Sequence, residues 1–523
     1  MLINKRHNLK KIRKYILLVL IFCVIAQSLF FDTVNTLSAI LIAFTSYLVI
    51  LFVFRSNIFP KAMFASFVVL SFNISILSGP LIFQTILFTS VINNLQVPLV
   101  TFFLSSLFQI SILVALLIYV RTKLLTIASK KLNFYLKKLG VMLVPSKLQL
   151  WIMGIIGLSV TFYYATLSAT GGVEYGDVGN KFLFGLKFLT YAPFLILFRN
   201  QMSEKKYKLK RMDFILLSIY FTILLIGAIG LNSRGTFAEA ILIIVVLTVL
   251  FILVKQIRIQ EIKKRLIIII LLMGFLQPIL SDLAIAMVLA RADRGKVSPT
   301  ELLVKTIEIY QNKKQIEDRI KKDRVNKVIL STNNYNEYYI DNTFLSRFLN
   351  IKFFDNMFAL DSTISGKNSK QILDITNKKI LATFPTPILK IFDINIHKDD
   401  LSFSMGDYML YLEAKTYLGG FKVGSTSAHI FAIFGWFSYI IVIIVFFILF
   451  TLIESLTTKK DGVIMVSPIL MLMILPLYYL ASGDSFVNII SFMLRTLPQN
   501  IFIYLMIFYI VYFITKIFKR FLK

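Results

Sequence analysis

The sequence predicts an all-α polytopic membrane protein of about twelve transmembrane helices with one large outer loop domain. Three observations predict it. Hydrophobic residues make up 57% of the 523 positions, above the roughly 45–50% of soluble domains. Apolar runs of ~20 residues recur, each long enough to cross a ~30 Å hydrocarbon core. Lysines and arginines alternate with those runs, crowding every second connection.

Spans are expected near 14–31, 36–54, 62–79, 98–120, 148–168, 182–198, 213–231, 236–254, 266–290, 427–453, 463–482 and 499–518. The first follows a basic start as a secretory signal does. However, "CVIAQSLFFD" offers no small-x-small cleavage site, so it reads as a retained helix. Lys5, Arg6, Lys10, Lys11, Arg13 and Lys14 precede it, and Arg55 and Lys61 follow the second span. Later even-numbered connections, such as "RNQMSEKKYKLKR" and "KQIRIQEIKKR", are equally basic, whereas "FDTVNT" carries no positive charge. The positive-inside rule then puts both termini in the cytoplasm, and an even span count agrees.

The organisation expected is nine spans in 1–290, an outer loop with short helices of its own in 291–426, and three spans in 427–523. Long loops translocate whatever their charge, so the lysines of this loop do not conflict with the orientation. A net charge of +30 in a soluble protein would point to nucleic acid. Here most short-loop cations flank spans, which points to the membrane instead. Cys23 is the only cysteine, which excludes an intrachain disulfide, and three histidines without a Cys/His cluster argue against structural zinc.

Candidate chemistry gathers on the outer side. The turn "LNSRG", Leu231 to Gly235, joins the seventh and eighth spans with Arg234 as its only cation. The residues "TFAE" that follow predict a capping box, with Thr236 as N-cap and Glu239 reaching back to it. That favours a structural role for Glu239 over a catalytic one. The N–H groups and dipole of a helix starting just beyond Arg234 would make an anion site, and planar guanidinium donors match diphosphate oxygens. Snorkelling of the arginine to lipid headgroups is the competing reading.

The ninth span runs into "LARADRGKVSP", which sets Arg291, Arg294 and Lys296 at the same face with Asp293 among them. Asp282 lies inside that span, a functional candidate by default unless it is neutral or paired with a lysine such as Lys187. His429 follows the N-cap candidates Ser425 to Ser427 at the start of the tenth span. It is either a proton acceptor near neutral pH or a structural histidine. In the run "STNNYNEYYID", Tyr335, Tyr338 and Tyr339 offer stacking surfaces for sugars, and a plain loop accounts for them nearly as well.

At these residues the chain resembles the O-antigen polymerase family, the Wzy-type enzymes that join oligosaccharide repeat units. The carriers are "NSRGTFAEAIL", "RADRG", "LATFPTPILKIF", "SFSMGDYM" and "STSAHIFAIFGWFSY", over roughly residues 220–450. The resemblance implies a glycosyltransferase C-like fold in the bacterial inner membrane, acting at the periplasmic face without metal or other cofactor. It implies a donor glycan on undecaprenyl diphosphate and a lipid-linked repeat unit as acceptor. Within that scheme Arg234, Arg291, Arg294 and Lys296 grip the diphosphate, and His429 orients or deprotonates the acceptor hydroxyl. Undecaprenyl-diphosphate-linked oligosaccharides, membrane lipids, a chain-length regulator and a flippase are the expected partners, with no nucleic acid. A flippase for the same lipid-linked oligosaccharide and an O-antigen ligase are the alternative functions.

Overall fold

The computed structural model describes residues 2–521 except 170–182, 255, 258–278, 280, 294–295, 320, 322–334, 341–345, 347 and 461–462. Among the described residues, eight helices are long and apolar enough to cross a membrane: Leu9–Phe30, Thr33–Val53, Met63–Ile86, Pro98–Arg121, Arg211–Gly230, Gly235–Leu253, Thr426–Glu454 and Phe486–Ile517. The chain is therefore an α-helical membrane protein. One short hairpin pairs Thr457–Lys460 antiparallel with Val463–Val466.

Four expected spans are not among the eight. The fifth is helical over Lys147–Ala169. The sixth is a 3-10 helix, Lys187–Gln201, with Pro193 inside it and a break in helical geometry at Phe198. Proline removes an N–H and clashes with the preceding turn, which disfavours a regular α-helix. Of the ninth, residues 266–278 and 280 lie outside the described residues. The eleventh is corrected outright. Its expected start at 463 belongs to the hairpin, and Pro468–Leu472 and Ile474–Tyr479 are two short helices parted at Met473. Pro468 opens the first of these helices and Pro476 falls in the first turn of the second, where a missing N–H breaks no bond within the helix.

The chain divides into two compact units. Loop residues 291–329 belong to the unit formed by 132–329, 456–475 and 499–523, whereas 330–426 belong to the unit formed by 1–131, 330–455 and 476–498.

In the unit containing the N-terminus, two buried carboxylates from distant sequence close the starts of membrane helices. Glu454 Oε1 accepts from the N–H groups of Phe64 (2.9 Å) and Ala65 (3.0 Å), at the start of Met63–Phe72. Asp355 accepts from Gln96 N (2.8 Å) and Val97 N (3.0 Å), just before Pro98–Arg121. The first N–H groups of a helix lack partners within it, so a carboxylate there supplies acceptors and complements the dipole. Asp355 also meets the ammonium of Lys352 at 2.8 Å, both side chains being fully buried. The rings of Phe72, Phe108 and Phe446 pack between the helices that carry them, with centroids 5.1 and 6.1 Å apart.

In the other unit, the Lys187–Gln201 segment lies backbone to backbone against Lys147–Ala169. A β-carbon on Gly157 would fall 2.1 Å from Thr190 N, and one on Gly154 would fall 2.2 Å from Pro193 Cγ. Only glycine allows this approach, the small-residue device by which membrane helices pack closely.

Candidate functional site

The turn "LNSRG" closes the Arg211–Gly230 helix and opens the Arg234–Leu253 helix with two residues between Leu231 and Arg234. Asn232 adopts a left-handed conformation, φ +49°. Around it Ser233 N donates to Ala228 O (2.8 Å) and Asn232 N to Ile229 O (3.0 Å). This is the double bond pattern of a Schellman ending, which satisfies the last carbonyls of the first helix. Asparagine tolerates the left-handed region better than other non-glycine residues. Ser233 then serves as N-cap of the next helix, although its hydroxyl pairs with Thr236 Oγ1 at 2.7 Å and caps no backbone N–H.

The expected capping box is not formed. The helix starts at Arg234, two residues before Thr236, so Glu239 lies beyond the first turn and cannot reach the N-cap. Its carboxylate instead accepts from the buried Tyr191 hydroxyl, 2.6 Å from Oε2. Glu239 Oε1 lies 3.6 Å from where a β-carbon on Gly235 would stand, so this oxygen borders the turn. A capping box does form elsewhere, between Ser298 and Glu301 at the head of Pro299–Gln311. The corrected register also moves Arg234 into the first helical position. A cation there opposes the helix dipole by about 0.3–1 kcal/mol unless an anion joins it.

A second segment meets this turn. The Asn232 side-chain amide donates to Met287 O at 2.5 Å. Met287 belongs to the 281–290 helix, whose last turn leads into the 3-10 turn Arg291–Asp293. Four residues separate Met287 from Arg291, or ~6 Å at ~1.5 Å per residue. The structure thus brings the backbones that carry Arg234 and Arg291 together. Arg291 and Lys296 are exposed. The Arg234 side chain and all of Arg294 lie outside the described residues.

The Pro299–Gln311 helix packs against the same place, since a β-carbon on Gly230 would stand 3.2 Å from Pro299 O and 3.7 Å from Leu303 Cβ. Two ion pairs hold this segment. Lys305 meets Asp293 at 2.5 Å, and Lys313 meets Asp282 at 2.6 Å. The hydrogen bond from Lys305 holds the Asp293 carboxyl below the ordinary carboxylate range. Its counterpart from Lys313 to Asp282 raises the Lys313 ammonium. Asp282, a functional candidate by default, is thus paired with a lysine, and that lysine is Lys313. Asp282 is also partly exposed, with 31% of its side chain accessible.

His429 belongs to the other compact unit. Ser425 caps its helix as expected, accepting from Ala428 N at 3.2 Å. The ring is fully buried. The Phe486 N–H donates to Nδ1 at 3.1 Å, so the ring proton is on Nε2, which donates to Thr376 Oγ1 at 2.8 Å. The Thr376 hydroxyl passes its own proton toward Ile372 O at 2.6 Å. Both ring nitrogens are engaged, which leaves none to take a proton from a substrate hydroxyl. The expected base is here a buried crosslink.

The motif "SFSMGDYM" has a similar structural explanation. Asp407 accepts from Phe421 N (2.8 Å) and Lys422 N (2.9 Å), and Asp484 accepts from Gly424 N (2.7 Å) and Met405 N (3.2 Å). These bonds tie the segment before His429 to the 404–414 region. Burial raises the Asp484 carboxyl and lowers the nearby Lys379 ammonium, which donates to Leu401 O and Phe403 O. Tyr339 is buried with its hydroxyl on Val91 O (2.7 Å), and the Tyr335 hydroxyl lies 3.1 Å from Val423 O. The Tyr339 ring is thereby closed to stacking with a sugar.

Sequence reasoning missed Tyr191, Lys352 and the partners of Asp355. A tyrosine within the apolar "LTYAPF" was the visible sign of the first; nothing local marked the others. Comparison with protein-family models, with curated proteins and with solved structures finds no match for this chain.

Proposed function

We propose that this membrane protein is a polymerase of undecaprenyl-diphosphate-linked oligosaccharide repeat units, with its diphosphate site at the "LNSRG" turn. The observation that supports it best is the bond from Asn232 to Met287 O, which draws the segments of two separate arginines to one turn. Arg234 and Arg291 bind the diphosphate and stabilise the charge that grows as it leaves, with Arg294 and Lys296 as further cations. Charge-assisted contacts of this kind contribute roughly 1.5–3 kcal/mol each, and more where water is excluded.

The acceptor sugar's hydroxyl attacks the donor's anomeric carbon while the anomeric carbon–oxygen bond to undecaprenyl diphosphate breaks. The hydroxyl proton needs an acceptor. Glu239 fits this better than His429, since Tyr191 anchors one carboxylate oxygen and the other borders the turn. The basic connections support a site at the periplasmic face of a bacterial inner membrane, where a flippase would deliver substrate and a chain-length regulator would limit product.

Product ladders from a defined lipid-linked unit test the reading. The purified chain should lengthen the glycan, and Arg291→Ala should cut turnover about tenfold to a hundredfold. Glu239→Gln should lose about 10²–10⁴-fold while still binding undecaprenyl diphosphate. Near-normal ladders from Arg234→Ala and Arg291→Ala would remove the diphosphate assignment. Movement of the lipid-linked unit across vesicles without new bonds would identify a flippase instead.

A further inference from the structure

The Lys123–Lys138 helix has no part in the reading above. Its sequence, "KLLTIASKKLNFYLKK", contains five lysines and no acidic residue. It begins one residue after the span Pro98–Arg121 ends, so its start is held at the membrane edge. Ser129 and Asn133 are buried, and the Asn133 amide donates to Thr457 O at 3.1 Å, which fixes one side of the helix toward protein.

The opposite side carries three pairs of residues seven apart, a spacing that stacks side chains nearly along one line. Ile127 and Phe134 form the central pair, 58% and 55% exposed. Lys130 and Lys137 flank them on one side, Lys131 and Lys138 on the other, all exposed. Lys138 Nζ lies 4.7 Å from the centroid of the Phe134 ring, so the lysine stem runs along that apolar surface. At ~100° per residue the six side chains fall within an arc of about 120°. An apolar strip bordered on both sides by ammonium groups is matched by acyl chains bordered by phosphates.

We propose that this helix lies in the membrane–water interface, with Ile127 and Phe134 among the acyl chains and its four flanking lysines binding anionic phospholipid headgroups. The occupant is the chain's own bilayer. Continuity with the preceding span brings that surface within reach, and the five lysines give it the complementary charge. This inference does not depend on the polymerase reading.

The test uses the full chain in nanodiscs of mixed phosphatidylcholine and phosphatidylglycerol. A fluorophore is attached at Phe134→Cys with Cys23→Ser. Quenchers carried on lipid tails should reach the fluorophore, and aqueous iodide should not. The combined substitution of Lys130, Lys131, Lys137 and Lys138 by Gln should lower the phosphatidylglycerol enrichment of lipid retained in detergent about tenfold. Quenching by iodide alone would leave the face open to a soluble acidic partner and overturn the proposal. Unchanged enrichment in the lysine variant, or none in the parent chain, would overturn the headgroup assignment.

Discussion

The side-chain amide of Asn232 donates to the carbonyl of Met287 at 2.5 Å, across 55 residues of sequence. The same residue supplies the left-handed link between two membrane helices. One asparagine therefore sets both the reversal of the chain and the approach of the segment that carries Arg291.

The two tasks are separable by substitution. Asn232→Gly keeps the left-handed link and loses the side-chain bond, at a cost of about 0.5–1.5 kcal/mol. Asn232→Ala loses both, adding about 1–2 kcal/mol for a β-carbon in that conformation. Thermal unfolding in detergent should rank parent, glycine and alanine in that order. An alanine variant as stable as the glycine one would mean that the left-handed link carries no strain.

His429 is expected to act on stability. His429→Ala leaves the buried Phe486 N–H without its acceptor, a cost of about 1–3 kcal/mol, whereas the Thr376 hydroxyl keeps its bond to Ile372 O. Unfolding should shift accordingly, with turnover per folded molecule largely retained. A variant of unchanged stability and lost turnover would return the histidine to catalysis.

The buried Lys352–Asp355 pair makes a sharper case. Asp355→Ala removes the acceptor for Gln96 N, Val97 N and Lys352 together, and breaking such a pair costs about 3–5 kcal/mol. Lys352→Met leaves Asp355 with its backbone donors and the Thr101 hydroxyl, so it should cost less. The double variant should be less damaging than the sum of the two, as expected for groups in direct contact. Strict additivity in the unfolding free energies would show that the pair does not act as a unit.

Docking of the Pro299–Gln311 helix should weaken only in acid. Lys305 lowers the Asp293 carboxyl, so the folded form holds this group charged to lower pH than the unfolded chain does. Its contribution is complete above the unfolded carboxylate value of about 3.9 and is lost as pH falls through the lower folded value. Amide hydrogen exchange over 299–311, corrected for intrinsic rates, should stay constant from neutral pH to about 4 and rise below it. The pair is partly exposed, so Lys305→Met should produce a small effect of the same sign at neutral pH. Exchange that rises already between pH 7 and 5 would place the control in another group.

The membrane class was readable because lipid imposes a one-dimensional requirement: a run of apolar residues long enough to cross. Among the described residues eight helices meet it, including those that flank "LNSRG". Runs interrupted by proline were misjudged, because composition counts apolar residues whereas Pro193 and Pro468 decide hydrogen bonding.

Partner choice was beyond the sequence. Glu239 had a good local explanation in a capping box, yet a three-residue shift of the helix start gave it to Tyr191. His429 carried the right chemistry for a base, but burial and two hydrogen bonds took both nitrogens. Asp282 found Lys313, and Asp355 found two N–H groups more than 250 residues away. Residue type and spacing determined which groups this protein has and on which segments they ride. Only the tertiary structure decided which of them meet, since a hydrogen bond depends on distances of a few tenths of an ångström that periodicity does not encode.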